Sequence, residues 1–352
     1  MSEKFSIQRL VRPNIRDLVP YSSARDEFTG NAQVYLDANE SPYNAPYNRY
    51  PDPKQRQLKE QMGAWMGLDA ERIFLGNGSD EGIDLLFRVC CRPGGDNVVS
   101  MEPSYGMYGV CARINDVEFR RVLLNPDFTL SPEAILDRCD DRTKLIFLCS
   151  PNNPTGNVLD RAAVRQVLES AKALVVVDEA YADFSEKEGF LSLLEEFSNL
   201  VVLRTLSKAW GLAGIRLGML FGDPILIGYL TAVKYPYNLN MLTLEAASTA
   251  LQYPDRTREW VEAIARERTR MTGELQQLSL VEKVHPSDAN FLLVRVTRVR
   301  ELFSYLTNEG IIVRDRSSVP LCTGCLRITV GSPSENDRLL DAIKTFEKEE
   351  VK

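Results

Sequence analysis

Hydrophobic positions in the first two thirds of the chain cluster into short blocks. Apolar runs at 97–101, 117–123, 144–149, 173–178, 200–205 and 218–221 are each bounded by polar or turn residues. Continuous rather than alternating hydrophobicity predicts strands buried on both faces. Amphipathic stretches lie between several of them, such as 79–91 and 160–171, the second opened by Asp160 in N-cap position. Strand and helix alternating in this way predict an α/β sheet, mostly parallel.

Beyond about Pro236 the texture changes. Two long helical patterns, near 241–251 and 256–278, precede strand-like 290–296, a helix near 300–308, strands at 311–314 and 326–330, and a final helix near 334–347. This predicts a smaller α+β domain. The first 45 or so residues are rich in Pro, Asn and Tyr without clear periodicity and read as an arm. The expected division is therefore an arm over 1–45 that packs with the small domain and a partner subunit, a large domain over 46–236, and a connecting helix with a small domain over 237–352.

Composition narrows the chemistry. The 352 residues carry a net charge of −7 and no basic run, which argues against a non-specific nucleic-acid footprint. No stretch approaches the roughly 18–20 uninterrupted apolar residues of a membrane helix, and charges interrupt the N-terminus, so a cytoplasmic location is the expectation. His285 is the one histidine, which makes a Ser-His-Asp relay a poor reading and a multi-histidine metal site impossible. Seven cysteines, an odd number, fit reduced thiols, and Cys322-Thr323-Gly324-Cys325 reads as loop packing.

The strongest local signal runs from Thr205 through Ser207, Lys208, Gly211 and Gly214 to Arg216. It follows a strand, where open α/β sheets bind ligands. Thr205, Ser207 and Arg216 are candidates for a phosphate cup, and Lys208 beside them is suited to condensing with an aldehyde. Asp178 ends an apolar strand and Tyr181 follows it; a carboxylate placed there suits a pyridine nitrogen that must stay protonated. In Ser150-Pro151-Asn152-Asn153-Pro154-Thr155-Gly156, Asn153 can present its amide to the ring's phenolate oxygen. Gly76-Asn77-Gly78-Ser79-Asp80-Glu81 opens a helix whose free N–H groups suit an anion. Tyr105, after the strand ending at Met101, can stack on a flat ring.

Together with Asn39-Glu40, Arg49-Tyr50-Pro51-Asp52 and Leu326-Arg327-Ile328-Thr329-Val330-Gly331, these segments resemble the fold-type I aminotransferases that use pyridoxal 5′-phosphate. The resemblance covers most of the chain. It implies a large domain built on a mostly parallel, seven-stranded type of sheet, plus a smaller α+β domain. It makes Lys208 the cofactor-bonding lysine and Asp178 the partner of the pyridine nitrogen, with Asn153 and Tyr181 on the ring oxygen and Tyr105 on the ring face. Gly78, Ser79, Asp80, Thr205, Ser207 and Arg216 would surround the cofactor phosphate. Tyr50 would reach the cofactor of a neighbouring subunit, which implies a homodimer. Tyr21, Asn153 and Arg327, with Arg314, would meet the substrate. The resemblance is strongest to the branch that transfers the amino group of L-histidinol phosphate to 2-oxoglutarate, giving L-glutamate. Alternatives are relatives that decarboxylate a phosphate-bearing amino acid or transaminate aromatic amino acids. One departure stands out: the family's Asn-Glu-Asn-Pro-Tyr-Gly arm reads Asn39-Glu40-Ser41-Pro42-Tyr43-Asn44.

Overall fold

A computed structural model describes residues 5–21, 28 and 33–349. The parts of the expected arm at 1–4, 22–27 and 29–32 lie outside the described residues. A seven-stranded sheet is ordered β1-β7-β6-β5-β4-β2-β3. Its strands are β1 (Ile73–Asn77), β2 (Asn97–Glu102), β3 (Glu118–Leu123), β4 (Thr143–Cys149), β5 (Leu174–Asp178), β6 (Leu200–Thr205) and β7 (Leu217–Phe221). The pairs from β3 through β2, β4 and β5 to β6 are parallel. β7 alone runs the other way, antiparallel to both β6 and β1.

The continuous hydrophobic runs have a direct cause. In β4, β5 and β6 alternate side chains enter two different cores: Ile146, Val175, Val177 and Val202 join one cluster, while Phe147, Leu174, Val176 and Leu203 join the other. The sheet is covered on both faces, so neither face can be polar. β3 departs from the expectation of two-sided burial. It is the edge strand and mostly exposed, and its charged residues pair sideways, Arg120 with Glu118 and Asp140, and Arg121 with Glu102. Charges on an edge also block strand addition from outside.

The second sheet, ordered β10-β11-β9-β8, is antiparallel throughout and comprises β8 (Val281–Val284), β9 (Phe291–Val296), β10 (Arg314–Asp315) and β11 (Cys325–Thr329). Its helices, Val299–Asn308 and Pro333–Glu349, and the 22-residue helix Pro254–Leu275 cover one face. The expected strand at 311–314 shrinks to two residues at 314–315. Gly310 ends the preceding helix in a left-handed conformation, φ 74°, and Ile312 stays exposed. In the arm, Ile7, Leu10 and Val11 are buried with the large sheet's helices Ser79–Cys90 and Pro224–Val233, rather than against the small sheet.

Candidate active site

Parallel strands deliver their C-terminal ends to one edge of the sheet, and the reversed β7 brings its first residue to the same edge. Asn77, Glu102, Cys149, Asp178 and Thr205 end their strands there, while Arg216 immediately precedes β7. Between these ends lies a pocket of about 540 Å³. Gly78, Ser79, Asp80, Tyr105, Asn153, Asp178, Tyr181, Thr205, Ser207, Lys208 and Arg216 all line it, joined by Cys149 and Ala180, which the sequence alone does not single out.

One end of the pocket is built to receive an anion. Gly78 holds φ 76°, which frees the first N–H groups of the helix Ser79–Cys90 to face the pocket. The Gly78 N–H donates to the Arg216 carbonyl at 2.8 Å, and Arg216 is itself left-handed, φ 57°. Gly218 permits this closeness, because a Cβ there would sit 2.1 Å from the Ser79 nitrogen. The Thr205 hydroxyl lies 3.0 Å from that of Ser207 and accepts the Ser207 N–H at 3.1 Å, which fixes the turn that carries Lys208. Arg216 Nη2 is 4.0 Å from Asp80, whose other oxygen accepts the Tyr105 hydroxyl at 3.1 Å.

At the other end Asp178 is buried. Its Oδ2 accepts the Tyr108 hydroxyl at 2.7 Å and its Oδ1 the Ala180 N–H at 3.1 Å. Burial nevertheless outweighs these bonds and raises its pKa to about 6. Among the described residues no cationic side chain pairs with it at ion-pair distance, although Lys208 pulls its pKa down. Tyr108 has no signal in the sequence: it stacks on Phe147 at 4.6 Å and reads as core, and only the fold turns its hydroxyl to Asp178. Lys208 is open to the pocket; partial desolvation first, then the Arg327 and Arg216 guanidinia, lower its pKa against the pull of Asp178 and Asp80. Its Nζ lies 5.7 Å from the centre of the Tyr181 ring. Asn153 joins two groups: its Nδ2 donates to the Tyr181 hydroxyl at 3.4 Å and its Oδ1 accepts from Arg327 at 2.6 Å.

Other candidates lie apart. Arg327 reaches the pocket's rim through Asn153 and lies over the Phe291 ring, and Arg314 is its cross-strand neighbour. Tyr21 is exposed and lines a separate hollow with Pro20, Pro53 and Lys54. Tyr50 also lies outside the pocket, half exposed and stacked on Tyr237 at 4.3 Å. Its segment is pinned from below: Lys234 Nζ donates to the carbonyls of Pro53, Tyr235 and Pro236 at 2.8, 3.1 and 2.9 Å. Asn238 ties the same region to the glycine turn, donating to the Leu75 carbonyl at 3.0 Å and accepting from Gln55 at 3.3 Å. His285 is a core residue against Phe128, its pKa lowered to about 4 by burial. All seven cysteines are free, Cys322 and Cys325 among them and buried. Among the described residues no cluster of His, Cys, Asp or Glu suits a metal, and no helix is long and apolar enough to cross a membrane.

Comparison with known proteins gives the class of the chain. Residues 31–343 match the family of class I and II aminotransferases, and the chain belongs to that family. It is 54% identical over 340 residues to the histidinol-phosphate aminotransferase of Parabacteroides distasonis, covering 97% of this chain and 99% of that one. Among solved structures, the histidinol-phosphate aminotransferase from Clostridium acetobutylicum superimposes with a TM-score of 0.80 at 25% identity, over 86% of this chain and 92% of that chain. The L-threonine-O-3-phosphate decarboxylase from Porphyromonas gingivalis superimposes with a TM-score of 0.73 at 26% identity, over 86% and 91%.

Proposed function

We propose that this chain transfers the amino group of L-histidinol phosphate to 2-oxoglutarate, forming imidazole-acetol phosphate and L-glutamate. The observation that carries this reading is the 54% identity to a histidinol-phosphate aminotransferase across 97% of the chain. The cofactor is pyridoxal 5′-phosphate, and the donor set fits it: an anion cup at one end, a buried acid with no ion pair among the described residues at the other, and a lysine between. Ser79, Thr205, Ser207 and Arg216 would hold the phosphate, with Gly78 and Asp80 shaping the cup. Tyr105 would cover the ring, and Asn153 and Tyr181 would bind its oxygen. When bound, the cofactor's ring supplies an electron sink for the charge left on the substrate carbon. Asp178 holds the proton on the ring nitrogen. Lys208 would be the covalent anchor, and its Nζ, poised toward the neutral form, would take the proton from the substrate carbon and deliver it to the cofactor carbon that bore the aldehyde. Arg327 forks the substrate's anionic group, with Arg314 beside it.

The reading extends to a cytoplasmic homodimer in which Tyr50 serves the partner's cofactor and Tyr21 the substrate. The exposed placement of both, away from their own pocket, supports it. Incubation of the holoenzyme with histidinol phosphate, phosphothreonine and phenylalanine in parallel, with 2-oxoglutarate present, tests the function by its products. Glutamate formed fastest from histidinol phosphate is the expected result. Carbon dioxide from phosphothreonine would instead place the chain with the decarboxylases, and phenylalanine as best donor with the aromatic aminotransferases.

A further inference from the structure

The two faces of the small sheet do different work. Leu292, Val294, Leu326 and Ile328 pack into the small domain's own core, whereas Phe291, Leu293 and Cys325 join the core of the large sheet. Arg327 lies opposite Leu293 on this second face, and Arg314 lies opposite Arg327. The pairing runs on past β10: the Arg316 N–H donates to the Cys325 carbonyl at 2.9 Å. Arg316, two residues beyond Arg314, therefore returns to the same face. Three guanidinia share that face, beside the Asn153 and Tyr181 wall of the pocket.

Little negative charge offsets them; Asp315 acts on Arg316 from a distance. Among the described residues none of the three forms an ion pair with a carboxylate. Arg327 donates to the neutral Asn153 amide, and Arg316 Nε is buried without a hydrogen-bond partner. The guanidinia lie close enough to interact: Arg316 and Arg314 both depress the pKa of Arg327, after burial, and Arg314 does the same to Arg316. Such a set favours an anion on this face. A planar carboxylate is satisfied by the two-pronged fork of one guanidinium. A phosphate monoester carries up to two charges on three free oxygens and can engage a second guanidinium.

Resting on the function proposed above, we propose that Arg316 is a specificity-determining residue that binds the substrate's phosphate and contributes little to the carboxylate substrate. The experiment follows each half-reaction separately in holoenzyme carrying Arg316→Gln, by the absorbance change of the bound cofactor in a single turnover. The efficiency with histidinol phosphate should fall by about 10- to 100-fold, the scale of a lost charged hydrogen bond, mainly through weaker binding. The glutamate half-reaction should stay within about 3-fold, and Arg316→Lys should recover part of the phosphate-substrate binding. Inorganic phosphate should inhibit the glutamate half-reaction of the variant about 10-fold more weakly than that of the unaltered enzyme. Equal losses in both half-reactions, or none in either, overturn the proposal. If the unaltered enzyme does not use histidinol phosphate, the proposed function falls, and inhibition by inorganic phosphate then decides this inference alone: unchanged inhibition in Arg316→Gln overturns it.

Discussion

A single carboxyl, that of Asp178, shows at the residue scale how a group suited to a ligand weakens the protein that waits for it. Its pKa of about 6 means that the folded, cofactor-free protein binds this proton more tightly than the unfolded chain does. Stability from this group is therefore fully present below about pH 4 and is lost as pH rises through 6. By neutral pH the buried carboxylate costs about 3 kcal/mol, since each tenfold change in proton affinity is worth about 1.4 kcal/mol. Asp178→Asn should accordingly melt higher than the unaltered protein at pH 8, both without cofactor, with the gap closing toward pH 4. The same variant should lose transamination by about two orders of magnitude or more, since an amide cannot hold the ring proton by charge. Thermal melts across that pH range and a half-reaction assay check both. Asp178 is legible in the sequence because it ends an unbroken apolar run at the edge where α/β sheets bind ligands. Tyr108 is not, because an aromatic inside a helix looks the same whether its hydroxyl meets water or a buried acid. Arg316 is hidden for a related reason: its face is set by register across β10 and β11, which no local spacing reveals.

At the scale of elements, the legible runs are those buried on both faces. β4, β5 and β6 are almost wholly buried along their length, so hydrophobicity alone marks them. β1 is hidden by its length, three apolar residues before Gly76, and by the glycine turn, whose stronger signal is anion binding. β8 is hidden by its exposed Glu282 and Lys283. The reversal of β7 cannot be read from composition, yet it decides the site, since only a strand entering from this edge places Arg216 beside Gly78. Gly218 is the point of closest approach. Gly218→Ala would push a Cβ into the Ser79 nitrogen and move the helix end that faces the anion. We expect about 1–3 kcal/mol of lost stability and at least a roughly 10-fold weaker affinity for pyridoxal 5′-phosphate, measured by titrating cofactor-free protein.

Across the whole molecule, Tyr50 belongs to the site by resemblance yet lies outside its own chain's pocket. It stacks on Tyr237 with half its surface open, on a segment fastened to the loop at 234–238. If it serves a partner, inactive Tyr50→Phe and Lys208→Ala proteins should regain up to about a quarter of full activity when mixed and allowed to exchange, through heterodimers with one intact site. Activity no higher than that of the separate variants, after exchange verified by mass, would count against shared sites. Sharing of this kind is proposed through resemblance alone, because contacts between copies would leave no periodic mark in a sequence.

The fastening at Lys234 has a further implication. Three peptide oxygens converging on one buried positive charge make the kind of nest that a potassium ion occupies in other settings, and here the occupant is tethered by four methylenes. A joint built this way cannot be emptied by dilution or swapped by changing the salt. Activity and melting temperature should therefore be the same in sodium, potassium and tetramethylammonium chloride at equal ionic strength. Lys234→Met should lower the melting temperature and make it depend on which of these cations is present, because the oxygens would then be left to recruit their charge from solution.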